Sequence, residues 1–163
     1  MKKLLIMRHG KSDWGSGSQR DFDRPLNERG LRDTPRIGNE LKNRDLTPDL
    51  IISSPAERAK LTAERVAEYS GYRGKIDWDE SFYFGFVREI TQKLRKVDDK
   101  IENVMIVGHN PTWSSIVEQL SGNYFDMKTA NVCILEFNGS WKDLDEGKCT
   151  FIDSISPKEL LKL

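Results

Sequence analysis

Charge of one sign has no excess in this chain. Its 163 residues carry 26 Lys+Arg and 26 Asp+Glu, a formal net charge of zero. Gripping nucleic acid by bulk electrostatics needs a clustered positive excess, so no nucleic-acid partner is expected, although a local basic pocket is still allowed. Long hydrophobic runs are missing too. The N-terminal run Leu4–Met7 falls well short of a signal-peptide core or a membrane span, and no other segment reaches that length. No membrane association and a cytoplasmic location are therefore expected. Cysteine is scarce: Cys133 and Cys149 are the only two. With no export signal they are expected as reduced thiols rather than a lone disulfide.

Known nucleotide and metal signatures are also absent. There is no G-x-x-x-x-G-K-[ST] loop and no G-x-G-x-x-G opening a helix. Histidine occurs only twice, at His9 and His109, without H-E-x-x-H or C-x-x-C nearby, so no zinc site is expected. No G-x-S-x-G elbow marks a serine nucleophile, and Cys133 has no adjacent cationic motif.

What is present alternates between strand and helix. Lys3–Met7 reads as a buried strand and Leu31–Arg44 as a helix, with Pro35 in its first turn or kinking it. Leu50–Ser53 is a second strand. Ser54, Pro55 and Glu57 then read as a capping box that opens a helix to about Tyr69. Lys75–Trp78 is a short strand, Val87–Val97 a helix and Val104–Val107 a strong strand. Asn110 caps and Pro111 starts a helix through about Leu120, and Cys133–Phe137 with Cys149–Ser154 form two late strands. Length and the lack of any composition break or repeat predict one domain spanning 1–163. The alternation predicts an α/β fold, three-layer α/β/α around a mostly parallel sheet. The polar segment Lys11 to Arg24, with Gly15–Ser18 inside it, is too long for a tight turn and is a candidate functional loop.

In such sheets ligands bind beyond the carboxyl ends of the strands. Three strands end on notable groups: Arg8-His9-Gly10, Ser54-Pro55-Ala56-Glu57-Arg58 and Gly108-His109-Asn110-Pro111. Two arginines, two histidines and two helix N-termini on one edge all favour an anion. A protonated His109 would add a third cation, and Gly10 and Gly108 would let backbone approach the ligand. The expected ligand is a phosphoryl group. Neutral imidazole is nucleophilic near neutral pH and can carry phosphoryl covalently, which points to His9, held as one tautomer by a backbone carbonyl at its other nitrogen.

Four segments in order then resemble one family. Leu5-Ile6-Met7-Arg8-His9-Gly10-Lys11-Ser12 is similar to the signature of the histidine phosphatase (phosphoglycerate mutase-like) superfamily. Pro25-Leu26-Asn27-Glu28-Arg29-Gly30, then Ser53-Ser54-Pro55 with Arg58 and Thr62-Ala63-Glu64, and finally Gly108-His109-Asn110-Pro111 resemble its further motifs. The small size resembles the SixA-type phosphohistidine phosphatases. The resemblance implies a phosphoglycerate mutase-like fold with a minimal or absent cap. His9 would be the phosphorylated nucleophile, Arg8 and Arg58 the clamp on phosphate oxygens, His109 the completion of the pocket, and no cofactor would be needed.

Only Gly71–Phe86 stands where larger relatives insert a cap, so the general acid is sought among Glu80 first, with Asp79 and Asp13 behind it. Ser12, Trp14 and Asn110 join Gly10 as candidate substrate contacts. Asp21, Asp23 and Arg24 read as ion pairs that pin the loop. Phe82, Tyr83, Phe84 and Phe86 read as core packing more than as substrate stacking. An open pocket suits a phosphohistidine on a partner protein, such as a histidine phosphotransfer domain, because the leaving imidazole is easily protonated. The alternatives are a phosphomonoesterase acting on a small phosphorylated metabolite and a phosphate-binding module without turnover. Nothing in the pattern marks an oligomer interface.

Overall fold

The computed structural model describes residues 1–14 and 20–161. Gly15–Ser18 of the long loop, and Leu163 of the tail, lie outside the described residues. Six strands form one sheet in the order β3-β2-β4-β1-β5-β6. They are β1 (Lys2–Arg8), β2 (Leu50–Ser53), β3 (Ile76–Trp78), β4 (Asn103–Gly108), β5 (Val132–Phe137) and β6 (Thr150–Ile155). The first four in chain order are mutually parallel, while β5 runs antiparallel to β1 and β6 antiparallel to β5. The mostly parallel α/β/α expectation therefore holds, with an antiparallel pair closing one side.

The helices are α1 (Glu28–Asn43), α2 (Glu57–Ser70), α3 (Ser81–Phe84), α4 (Val87–Arg95), α5 (Thr112–Ser121) and α6 (Pro157–Leu160). Strand side chains alternate between two cores. Leu5, Met7, Ile51, Met105 and Val107 pack with Ile37 and Leu41 of α1 and Ala59, Ala63 and Val66 of α2. Leu4, Ile6, Ile52, Val104 and Ile106 pack on the other face with Ile90 and Leu94 of α4 and Trp113, Ile116 and Val117 of α5. Leu160 of α6 rests against the first core, while Leu161 is exposed.

Two helix starts differ from the sequence reading. Helix α1 begins at Glu28 because the Asn27 side chain accepts the Gly30 N–H at 3.0 Å, so Pro35 lies in the second turn, inside the helix. Ser54 caps no helix. Its Oγ accepts the Ala56 N–H at 3.2 Å, and α2 begins only at Glu57 without a side-chain cap. The box fails because the Ser54 hydroxyl faces His109. Helix α3 has no counterpart in the sequence reading, and Asn110 lies one residue before the N-cap of α5, which is Pro111 and carries no side-chain cap, although Asn110 Oδ1 accepts the Ser114 N–H at 3.1 Å.

What positions the site is register. Ser53 and Met7 both pair with Val107, and Arg8 pairs with Gly108, so β1, β2 and β4 end level at one edge.

Candidate active site

Beyond that edge lies a cavity of about 360 Å³ whose lining includes Arg8, His9, Arg58, His109 and Asn110. The four residues proposed as its chemical core thus come from three strand ends far apart in sequence.

His9 is buried, 6% exposed, and its Nδ1 lies 2.6 Å from the Gly10 carbonyl oxygen. A carbonyl only accepts, so Nδ1 carries the proton and Nε2 presents its lone pair. The Arg58 Nε–H points at that Nε2 from 3.4 Å. Burial first, then the Arg58, Arg8 and Arg24 charges, push His9 down to about 3, against the Gly10 contact that favours its protonated form. The ring is neutral at physiological pH.

The surrounding backbone is fixed. The Gly10 N–H donates to Thr62 Oγ1 at 3.0 Å, and Thr62 Oγ1 donates to the Arg58 carbonyl at 2.7 Å, tying the His9 loop to the first turn of α2. A Cβ on Gly10 would stand 2.9 Å from Thr34 Cγ2 and 3.3 Å from Gly30 Cα. The Ala130 N–H donates to the carbonyls of both Arg8 and His9, at 3.1 and 2.9 Å, from a left-handed backbone with φ 61°. Arg8 Nη1 donates to the Met127 carbonyl at 3.1 Å.

His109 stands beside His9, ring centroids 5.1 Å apart. Its Nε2 lies 2.8 Å from Ser54 Oγ. Its Nδ1, like Nε of Arg8, is buried with no hydrogen-bond partner among the described residues. Burial, followed by the neighbouring His9 and Arg58, pushes His109 down to about 2. The expectation of a protonated His109 as a third cation is corrected: desolvation beside fixed charges keeps it neutral.

Arg58 donates through Nη1 to the Asp21 carbonyl at 2.8 Å and through Nη2 to Asp21 Oδ2 at 3.0 Å. The same carboxylate accepts from Tyr83 OH at 2.7 Å, and its Oδ1 from Arg24 Nε at 3.0 Å. Burial raises the Asp21 pKa, but these hydrogen bonds and the Arg58 charge outweigh it and hold the carboxyl at about 2. Asp21 and Arg24 do form the ion pair expected of them. They also reach into the centre, a position that sequence reasoning missed.

The remaining candidates divide. Ser12 and Trp14 line the cavity. Ser12 Oγ donates to the Pro25 carbonyl at 2.6 Å, and the Trp14 ring, 77% exposed, lies 4.0 Å from the Arg24 guanidinium. Asn110 lines the cavity while its Nδ2 donates to the Met127 carbonyl at 2.8 Å. Gly10 and Gly108 are corrected as ligand-facing glycines: both are packed from behind, and a Cβ on Gly108 would fall 2.3 Å from Trp113. Glu80 is exposed and is not among the cavity-lining residues. Asp79 caps the turn of α3, its Oδ1 accepting the Ser81 N–H at 2.9 Å, and the residue this turn sends inward is Tyr83. Asp13, the reserve candidate for the acid, lines the cavity. Lys11, Arg24 and Thr129 line it too and were not foreseen as contacts.

Among the described residues, no group of three or more His, Cys, Asp or Glu side chains could hold a metal, and no helix is long and apolar enough to cross a membrane.

Comparison with known proteins agrees with this geometry. The sequence pattern of the histidine phosphatase superfamily (branch 1) matches residues 4–82. An uncharacterised chloroplastic protein of Arabidopsis thaliana is 30% identical over 152 residues, covering 87% of this chain and 70% of that protein. The crystal structure of a putative phosphohistidine phosphatase SixA from Agrobacterium tumefaciens superposes with a TM-score of 0.83 at 25% identity, covering 96% of this chain and 98% of that one. The protein histidine phosphatase SixA complexed with tungstate superposes at 0.85, with 22% identity over 97% of this chain and 99% of that chain. The chain belongs to the histidine phosphatase superfamily, is a hydrolase of the phosphatase class, and has the fold of its SixA-type members.

Proposed function

We propose that the protein removes phosphate from phosphohistidine on a partner protein, through a phosphohistidine intermediate on His9. The observation that carries this reading is the His9 ring. Its Nδ1–H is held by the Gly10 carbonyl, and its Nε2 lone pair faces Arg58 inside a cationic cavity. In the first step Nε2 attacks phosphorus, the bond to the substrate imidazole nitrogen breaks, and that imidazole leaves. In the second, water attacks the phosphoryl group, the P–Nε2 bond breaks, and inorganic phosphate forms. Arg8 and Arg58 neutralise the phosphoryl oxygens as charge develops. The two buried unpartnered groups, Arg8 Nε and His109 Nδ1, are suited to the same oxygens, since buried polar groups are rarely left unpaired.

The leaving group supports phosphohistidine over an alkyl ester. The exposed Glu80 lies outside the cavity lining, Asp21 is held ionised by Arg58, Arg24 and Tyr83, and Asp13, the carboxylate that does line the cavity, accepts the Asn27 side-chain N–H at 3.0 Å, a contact that favours its ionised form. An alkoxide needs a strong proton donor, whereas an imidazole protonated near its ordinary pKa of about 6.5 departs without one.

The test is His9→Ala beside the wild type. The wild type is expected to accumulate an acid-labile, base-stable phosphoryl label and to hydrolyse a phosphohistidine protein far faster than a sugar phosphate. The variant is expected to lose label and turnover while keeping affinity for inorganic phosphate. A wild type that never becomes labelled refutes the intermediate, and equal turnover of both substrates refutes the assignment of substrate.

A further inference from the structure

A second cleft of about 450 Å³ adjoins the phosphate cavity and shares His109 and Asn110 with it. Its other wall is the turn between α3 and α4, including Tyr83, Phe84, Phe86 and Arg88. The aromatic run that contributes to it has divided roles. Phe82 is buried edge-on against Trp113, 5.4 Å between centroids, and Tyr83 reaches Asp21. Phe84 and Phe86 remain 67% and 73% exposed. Two neighbouring phenylalanines left this open beside a site are a patch for which the fold has no use.

Their presentation is fixed. Asp79 anchors the start of α3 through the Ser81 N–H and hydroxyl, at 2.9 and 2.6 Å. The Gly85 N–H donates to the Ser81 carbonyl at 2.7 Å, and a Cβ on Gly85 would fall 2.3 Å from that oxygen. The rings therefore flank a tight turn that accepts only glycine, so holding them out costs little order on binding. Arg88, also exposed, has no ion-pair partner among the described residues.

We infer that Phe84, Phe86 and Arg88 form the docking surface for the body of the phosphohistidine-bearing protein, as distinct from its phosphoryl group. The inference rests on the function proposed above and adds the recognition element. A phosphoryl group seated at His9 places its carrier across the shared wall of His109 and Asn110, onto this cleft. A small carrier would fill the cleft yet leave rings exposed to this degree in water. A protein surface covers them. The partner surface that fits has apolar side chains beside its phosphohistidine and an acidic side chain facing Arg88.

The experiment compares two substrates with one leaving group: free N-phosphohistidine, and a histidine phosphotransfer domain carrying phosphohistidine. The variants are Phe84→Ser/Phe86→Ser and Arg88→Glu, both on exposed positions, with melting temperature as the folding control. On the domain, kcat/KM is expected to fall at least tenfold, through KM, while turnover of free N-phosphohistidine stays within twofold. Loss on both substrates alike, or on neither, overturns the docking surface. Calorimetric binding of the phosphorylated domain to the His9→Ala chain separates this from the function itself. Binding weakened by the phenylalanine substitutions supports the surface even if the wild type turns over neither substrate, an outcome that refutes only the function. Binding unaffected by them refutes the surface.

Discussion

Acidification should destabilise this fold through its two histidines alone. His9 is held at about 3 and His109 at about 2, while an unfolded chain titrates both near 6.5. Below that value the unfolded state takes up protons that the native state refuses. The stability contribution is thus complete above pH 6.5 and is lost progressively as pH falls towards the native values. Between about pH 7.5 and about pH 5.5 each histidine costs about 1.4 kcal/mol, and the pair about 3 kcal/mol. With a urea slope of about 2 kcal/mol/M, the unfolding midpoint drops by about 1.5 M over that interval. Because the chain has no third histidine, the assignment is direct. His9→Gln and His109→Gln should each remove about half of the shift, and the double variant nearly all of it. Urea titrations at the two pH values, followed by tryptophan fluorescence, read the result. A wild type with the same midpoint at both, or a double variant that keeps the full shift, refutes the claim that both imidazoles are buried neutral.

Ser54→Ala removes the hydroxyl 2.8 Å from His109 Nε2 and frees the ring of this cavity-lining histidine. Steady-state kinetics should show kcat about tenfold lower with KM little changed, the scale of losing a group that orients a catalytic histidine. Gly108→Ala drives a methyl group to within 2.3 Å of the buried Trp113 ring, and thermal unfolding should report about 1–3 kcal/mol of lost stability. Cys133 and Cys149 are both buried free thiols, pushed up to about 12 by desolvation. A chromogenic disulfide reagent should therefore leave both unlabelled in the native protein and label both in denaturant.

The strand ends were legible because they follow from short-range rules. Apolar runs ending in Arg8-His9, Ser53-Ser54 and Gly108-His109 predict where chemistry gathers, since parallel sheets present their carboxyl ends together. What could not be read depends on groups meeting from afar. Ser54 looks like a helix cap until His109 arrives from β4 to take its hydroxyl. Glu80 and Tyr83 are neighbours in sequence, and only the turn fixed by Asp79 decides which of them faces the centre. Asp21 reads as the partner of Arg24, and pairs with it, yet its second oxygen serves Arg58 from 37 positions away. His109 reads as a cation from its neighbours, and desolvation, which no local pattern encodes, reverses that.

Ala130 bears on how this protein could be improved. A non-glycine residue held at φ 61° carries about 1–2 kcal/mol of backbone tension, and here that backbone clasps the carbonyls of Arg8 and His9. Glycine at that position would relax the tension, and it would also loosen the clasp on the reactive end of β1. Selection for heat resistance and selection for turnover therefore pull in opposite directions at one residue that the cavity never touches.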